Sequence, residues 1–443
     1  MSDSRLKYAA FAACLMLGAC QIFGGGGNDD EELDKSGRID MVLGEEAVSA
    51  DPALATVAVA LPPAELIESW PQAGRRATKV VGHAQAAEAL EIAWRTDAGQ
   101  GTTRNGALAA PPVASGELIF VLDADQTVRA FDVADGDRRW TRELKSGLRR
   151  DRRGLGGGLA LEGDTLIVAS GFGTISALNA TTGDELWSRR LNAPVTGSPT
   201  IKDNRIFVST QNNEVFALDF QDGATQWSDQ AISEPARVLS SPSPAAVEDI
   251  VVAPYSSGEV IAYLASNGRR LWSDALTRSG RFTPISAIND VASRPVLAGG
   301  LVFAVSQSGV LAAIDGRSGN RVWAQPFGSV QAPSLVGNFL FVSGIEGQIA
   351  CFQAQSGGVI WATDLPRYRN ERKNKGRIAY TAPVVASNRI LVVSSEEELL
   401  VLSPQTGEIT DRIDINATVY LEPIVVGDKV VLLADDGRLI AIR

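Results

Sequence analysis

Ala177-Leu178-Asn179-Ala180-Thr181-Thr182-Gly183-Asp184-Glu185-Leu186-Trp187 is the stretch on which the fold turns. A strand-like run ends in a polar turn at Gly183, and Trp187 follows four residues on. The same spacing recurs at Gly136/Trp140, Gly223/Trp227, Gly268/Trp272, Gly319/Trp323 and Gly357/Trp361. Working outward, six segments align without a gap: Ser115–Trp140, Glu162–Trp187, Lys202–Trp227, Val247–Trp272, Ala298–Trp323 and Val336–Trp361. A seventh, Ala386–Asp411, keeps Gly407 but has Asp411 in the Trp slot, and an eighth begins at Val426. Ahead of the first repeat, Glu91-Ile92-Ala93-Trp94-Arg95-Thr96 resembles the strand around the repeat Trp.

The spacing has a physical reading. Glycine takes a positive φ in a tight turn at no steric cost, and Trp buries a large ring against a neighbouring unit. The pitch between Trp94 and Asp411 is about 45 residues per repeat, which suits a four-stranded propeller blade. Within the first repeat, Glu117–Leu122, Val128–Asp132 and Arg138–Glu143 read as strands separated by polar turns. A fourth strand is expected to end at a proline three residues ahead of each repeat: Pro112, Pro199, Pro244, Pro295, Pro333, Pro383 and Pro423, with Leu159 in that slot of the second. The sequence therefore predicts an all-β, eight-bladed β-propeller of four-stranded blades over residues 86–443. The N-terminal strand around Trp94 is expected to pair with Leu439–Ile442 and complete the last blade. Seven of the eight Trp residues, Trp94, Trp140, Trp187, Trp227, Trp272, Trp323 and Trp361, occupy the docking slot, and Trp70 is left over. No Gly-His or Trp-Asp pair recurs, which excludes the WD40 pattern.

Composition narrows the function classes. The chain has 443 residues, 45% of them hydrophobic, and its 43 Gly and 20 Pro point to turns and short strands rather than long helices. A net charge of -11 argues against nucleic acid as a partner. With 3 Cys and 1 His, a Cys/His zinc site, a His-based triad and a disulfide framework are all excluded as organising features.

Residues 1–19 read as an export signal. Arg5 and Lys7 precede the apolar run Tyr8 to Leu17, which is too short to span a bilayer and ends at Leu17-Gly18-Ala19-Cys20. This resembles a bacterial lipobox, with Cys20 the acylated first residue of the mature chain. Residues 20–85 are expected to hold that lipidated Cys, a Gly-rich acidic tether and an extended or loosely packed segment. Gln21, rather than Asp, favours the outer membrane. On this reading, deleting residues 1–85 leaves a folded propeller.

Candidate chemistry is sparse. Cys351 reads as a small buried strand residue, matching Ala130, Ala177, Ala217 and Ala313 in other repeats. His83 reads as structural or solvated. Gly154 to Gly158 and Gly171-Phe172-Gly173 read as turns, because neither opens a helix. Glu396-Glu397-Glu398 reads as a solvated turn. Two basic runs, Arg149 to Arg153 and Arg367 to Arg377, suit contact with an acidic protein or anionic head groups, or simple solvation.

The repeat tail quoted above resembles the tryptophan-docking motif of pyrroloquinoline-quinone (PQQ)-type propellers, a resemblance that covers about residues 90–443. Two functions share such blades: quinoprotein dehydrogenases and the BamB family of outer-membrane β-barrel assembly lipoproteins. Lipobox, tether and eight bare blades resemble the second. That resemblance implies a non-catalytic scaffold without cofactor or metal, anchored by Cys20 at the periplasmic face of the outer membrane. Its partners would be a BamA-like barrel insertase and unfolded outer-membrane protein clients. It also implies a partner contact at Asp290, within Ala287 to Pro295, and a looser one at Arg237 and Leu239, with Asp290 an exposed carboxylate. The alternative is a periplasmic PQQ-dependent oxidoreductase.

The lipobox reading has a direct test. Cys20→Ser removes the acylation site, and the protein should then appear soluble in the periplasm or remain uncleaved on cell fractionation. Unchanged co-fractionation with the outer membrane would overturn it.

Overall fold

In the computed structural model, residues 48–104, 106–144, 154–232, 242–277 and 290–443 are described. Eight four-stranded antiparallel sheets follow one another round a central axis. Blade 1 comprises Val113–Ala114, Leu118–Leu122, Thr127–Asp132 and Arg138–Glu143, ordered from the axis outward. Blades 2 to 7 repeat this pattern in sequence order. Blade 8 takes Ile424–Val426, Lys429–Leu433 and Arg438–Ile442 from one end of the sequence and Ile92–Asp97 from the other. Trp94 lies opposite Ala441 and Thr96 opposite Leu439, so the expected closure is observed. The only helical elements among the described residues are the 3-10 turns Pro52–Leu54 and Glu371–Lys373.

Burial follows from the stacking. The two middle strands of each blade are covered on both faces by neighbouring blades, so they read as unbroken apolar runs. Leu118–Leu122 and Lys429–Leu433 are buried apart from their first residues. The outer strands face solvent and alternate in exposure, as in Arg138–Glu143.

Each repeat Trp docks on the next blade. Its indole Nε1–H donates to a backbone carbonyl there: Trp94 to Val133, Trp140 to Ala180, Trp187 to Phe220, Trp227 to Ala265, Trp272 to Gly316, Trp323 to Ala354 and Trp361 to Pro404, at 2.8 to 3.3 Å. The ring then lies on the repeat glycine of that blade. At Gly268, φ is +74° and a methyl group would sit 2.6 Å from Cε3 of Trp227. Glycine is thus required twice over, by the turn and by the ring from the preceding blade. Beneath each ring, the facing residue in the third strand is small: Ala130 opposite Trp140, Ala217 opposite Trp227, Cys351 opposite Trp361.

The prolines correct one expectation. The innermost strand does not end at the Pro but begins directly after it, as in Val296–Ala298 after Pro295 and Ile424–Val426 after Pro423. Proline has no N–H to give a ladder, so it stops the strand from extending back. Where Leu159 replaces it, the inner strand runs on as Gly157–Glu162, against two or three residues elsewhere.

A second correction concerns the segment before Trp94. Of the extended or loosely packed segment expected within residues 20–85, the part from 48 to 85 holds no regular strand but is not loosely packed. Residues 46–443 form one compact unit, and the stretch from Val59 to Ala87 makes a lap around one end of the axis. It satisfies the open inner edges of the blades. The Trp70 carbonyl accepts from Ala114 N, Pro71 O from Leu161 N, Ala77 O from Ala246 N and Thr78 O from Leu297 N. The Gln72 side chain takes both roles at Ile201, Ile67 O accepts from Gly427 N, and Ala84 bonds Val385 and Ser387. Blades 1 to 5, 7 and 8 are each met in this way. Trp70, Val59 and Ala84 are fully buried, and Ile67 and Val81 nearly so. His83 clamps the lap to blade 7: Nδ1 donates to Pro62 O (2.6 Å) and Nε2 accepts from Asn388 N (2.9 Å).

The truncation expectation therefore reverses. Burial of Trp70, Ile67, Val59 and Val81 contributes roughly 1.5–3 kcal/mol each, comparable in sum to the whole stability of a typical domain. A chain starting at residue 47 should melt like the full protein. A chain starting at residue 86 should lose its cooperative transition by circular dichroism. An unchanged melt of the shorter chain would show that the lap does not stabilise the ring.

Candidate functional site

The lap closes one end of the axis, and the described connections between blades gather at the other, open face. There a cavity of about 310 Å³ enters the axis, walled by Leu108, Ser293, Val330 and Tyr420 among others, with Ala73 of the lap at its floor. A neighbouring cavity of about 390 Å³ shares Val330, Gln331 and Ala379 and extends to Arg377 and Tyr380. Among the described residues of these connections, Leu155, Ile232 and Tyr420 are large apolar side chains left exposed.

The residue before each repeat Pro faces the axis. It is small in six blades: Pro111, Gly158, Ser198, Ser243, Ala332 and Ala382. Blades 5 and 8 carry Arg294 and Glu422 instead, the carboxylate buried and the guanidinium mostly so. Their side chains form an ion pair between non-adjacent blades, and so across the axis. The other carboxylate oxygen of Glu422 accepts from Gly74 N (3.4 Å), which ties the pair to the lap. Lys79, also in the lap, is 1% exposed, and its Nζ has no partner. Burial, followed by the nearby Arg294 charge, holds this ammonium well below the ordinary lysine range, and Glu422 only partly opposes that. Sequence reasoning missed this group. The available signal was a charge in a slot that is otherwise small.

The residues singled out from sequence fare unevenly. Asp290 is 3% exposed and not without a partner, and its carbonyl accepts from Gln307 N. The expectation of an exposed carboxylate there is therefore wrong. The segment packs against blade 4, where Val291 N bonds Tyr255 O, and this turns Asp290 inward. Cys20, Arg237, Leu239 and Arg149 to Arg153 lie outside the described residues. Cys351 is completely buried, which pushes its thiol well up and leaves it unreactive. Glu396 and Glu398 are half-buried and paired with Arg369 and Arg412, and only Glu397 is a solvated turn residue. Gly173 sits in a tight turn at φ +81°.

The fold and this plugged axis define the class: a closed eight-bladed propeller with one open face. The family model described as "Outer membrane protein assembly factor BamB" matches residues 81–152, 145–363 and 345–443. The BamB assembly factor of Moranella endobia is 24% identical over 335 residues, covering 75% of this chain and 84% of that protein. Among solved structures, BamB from Moraxella catarrhalis superposes with a TM-score of 0.66 at 18% identity, over 80% of this chain and 99% of that one. A quinohemoprotein alcohol dehydrogenase from Comamonas testosteroni also reaches 0.66, at 11% identity over 85% and 80% of the two chains, a likeness of fold alone. The chain belongs to the BamB family of outer membrane protein assembly factors.

The quinoprotein likeness invites a fit test for a quinone with Ca²⁺. Calcium takes six to eight oxygen ligands. Among the described residues no group of three or more His, Cys, Asp and Glu side chains is placed to hold a metal ion. The buried carboxylate on the cavity wall, Glu422, is already engaged by Arg294 and Gly74. The site does not fit that cofactor.

Lys79 gives a pH-dependent test. Its folded pKa lies below its unfolded value, so between the two the unfolded chain binds one more proton, and stability contributed at this site rises with pH. Lys79→Met should raise stability in denaturant unfolding near neutral pH. Its advantage should shrink as pH approaches the ordinary lysine value of about 10.4. A variant less stable than the parent throughout would mean that the ammonium is charged and paired in the fold.

Proposed function

We propose that this protein is a non-catalytic scaffold in outer-membrane protein assembly. It is held at the periplasmic face of the outer membrane by acylated Cys20 and docks on a BamA-like barrel insertase through inter-blade connections of its open face. The observation that carries this reading is the family match across the whole propeller. The axial site supports it: a buried Arg294–Glu422 pair over a strand-like lap offers neither a free carboxylate nor an activated nucleophile. Arg237 and Leu239 serve as partner contacts. Ile232, 67% exposed where the same connection leaves blade 3, adds apolar area of the kind found in docking surfaces. Asp290 acts as a buried support for its segment rather than as a contact. Unfolded outer-membrane proteins are the clients of the assembled machinery.

The test is affinity recovery through the lipidated chain. The parent should recover the insertase, and Arg237→Glu combined with Leu239→Ala should lose it while melting like the parent. Asp290→Arg should lower the melting temperature, because it forces a charge into a buried site. Normal recovery by the double variant would remove the 231–244 connection as the contact. Dye-linked alcohol oxidation on reconstitution with PQQ and Ca²⁺ would overturn the non-catalytic reading.

A further inference from the structure

Between blades 6 and 7 the chain makes a small hairpin on the open face. Tyr368–Asn370 pairs with Lys375–Arg377, and the 3-10 turn Glu371–Lys373 forms its tip. Its base is fastened on both sides. Arg367 and Arg377 reach Glu346 of blade 6 at 3.5 and 3.4 Å, and Arg369 reaches Glu396 of blade 7 at 2.5 Å. The tip is built as well. The Asn370 side chain accepts from Lys373 N, and the Glu371 carboxylate turns back to accept from Arg367 N and Tyr368 N. What remains is a rigid mount carrying Arg372, Lys373 and Lys375, all exposed and without an ion pair among the described residues.

The described fold begins beside this base. Val48 O accepts from Gln348 Nε2, which also bonds Asp364; Leu365 N bonds Gly347 O next door. The stretch preceding Val48, which carries Cys20, therefore enters the propeller at the foot of the hairpin. The tip itself is Arg372-Lys373-Asn374-Lys375-Gly376, with no aromatic or aliphatic anchor. Protein hot spots are enriched in Trp, Tyr and Arg set in desolvated pockets, and of these the tip offers Arg372 alone, in an exposed position. Laterally mobile head groups need only cations on long, adaptable stems. A chain of net charge -11 is otherwise repelled by an anionic surface, so a mounted basic tip on the open face biases its orientation.

We infer that the 371–375 tip is a second membrane contact, docking on anionic phospholipid head groups and orienting the propeller on the bilayer. The inference rests on the reading of Cys20 as the lipid anchor. The acyl chains of such an anchor hold the protein at the membrane without fixing which way the propeller faces, and a basic contact supplies that orientation.

The experiment uses the mature chain with Cys20→Ser, so that binding reports the protein surface and not the lipid. Acylation of Cys20 is checked separately, by mass of the N-terminal fragment of the parent. The unlipidated chain should sediment with phosphatidylcholine vesicles containing phosphatidylglycerol, ignore pure phosphatidylcholine, and be released by high salt. Combining Arg372→Glu, Lys373→Glu and Lys375→Glu should weaken that partitioning by about 100-fold, since each basic residue near an anionic surface contributes about fivefold. The melting temperature should stay unchanged, because these side chains are exposed and unpaired. Equal sedimentation of parent and triple variant would overturn the inference. So would a parent that ignores anionic vesicles while a photo-cross-linker at position 373 captures an acidic region of the insertase, which would assign the tip to a protein.

Discussion

Every blade of a propeller presents, on its axial side, a strand with an unpaired edge. Eight such edges converge in this molecule, and their backbone groups must be satisfied away from water or the ring loses stability at its centre. The lap from Val59 to Ala87 answers that constraint at seven of the eight blades. It lends the carbonyls of Ile67, Trp70, Pro71, Ala77, Thr78 and Ala84 to successive blades, and where the turn at Gly74 interrupts the lap, the Gln72 side chain stands in. Much else follows from it. Trp70 is buried in the core shared by blades 7, 8 and 1, His83 fastens the lap to blade 7, and Lys79 is carried into an environment that disfavours its charge.

The same lap bears on function. A propeller axis open at both ends is a natural place for a cofactor. Here one end is occupied by the chain itself, and Arg294 and Glu422 pair in the wall of the cavity. The axis is given over to holding the ring together. A buried ion pair of this kind is seldom a large net source of stability, because desolvation offsets its attraction. Its clearer consequence is geometric, since it joins blades 5 and 8 to the lap.

The docking of each Trp explains an irregularity in the repeat. Trp rings rest on the turn between the third and fourth strands of the next blade. In blade 8 those strands, Arg438–Ile442 and Ile92–Asp97, come from distant parts of the sequence and no tight turn joins them. Blade 7 thus has no glycine platform to dock on, and its slot holds Asp411. Val401 opposite it replaces the small residue that a ring would require.

Number of blades, strand pairing and ring closure were legible in the sequence. They rest on contacts that recur at a fixed spacing, so eight copies of one local rule reinforce each other. Cys351 was readable for the same reason, as a small residue in the slot beneath a Trp. The lap, the Arg294–Glu422–Lys79 group and the inward turn of Asp290 were not. Their partners lie far away in sequence, as Gln72 does from Ile201 and Arg294 from Glu422, and they occur once, so no period marks them. Apolar and polar residues without a repeat read as a loose segment until the eight open strand edges are brought to one axis. Only that convergence, a property of the closed ring, creates the demand for backbone partners that residues 59–87 meet.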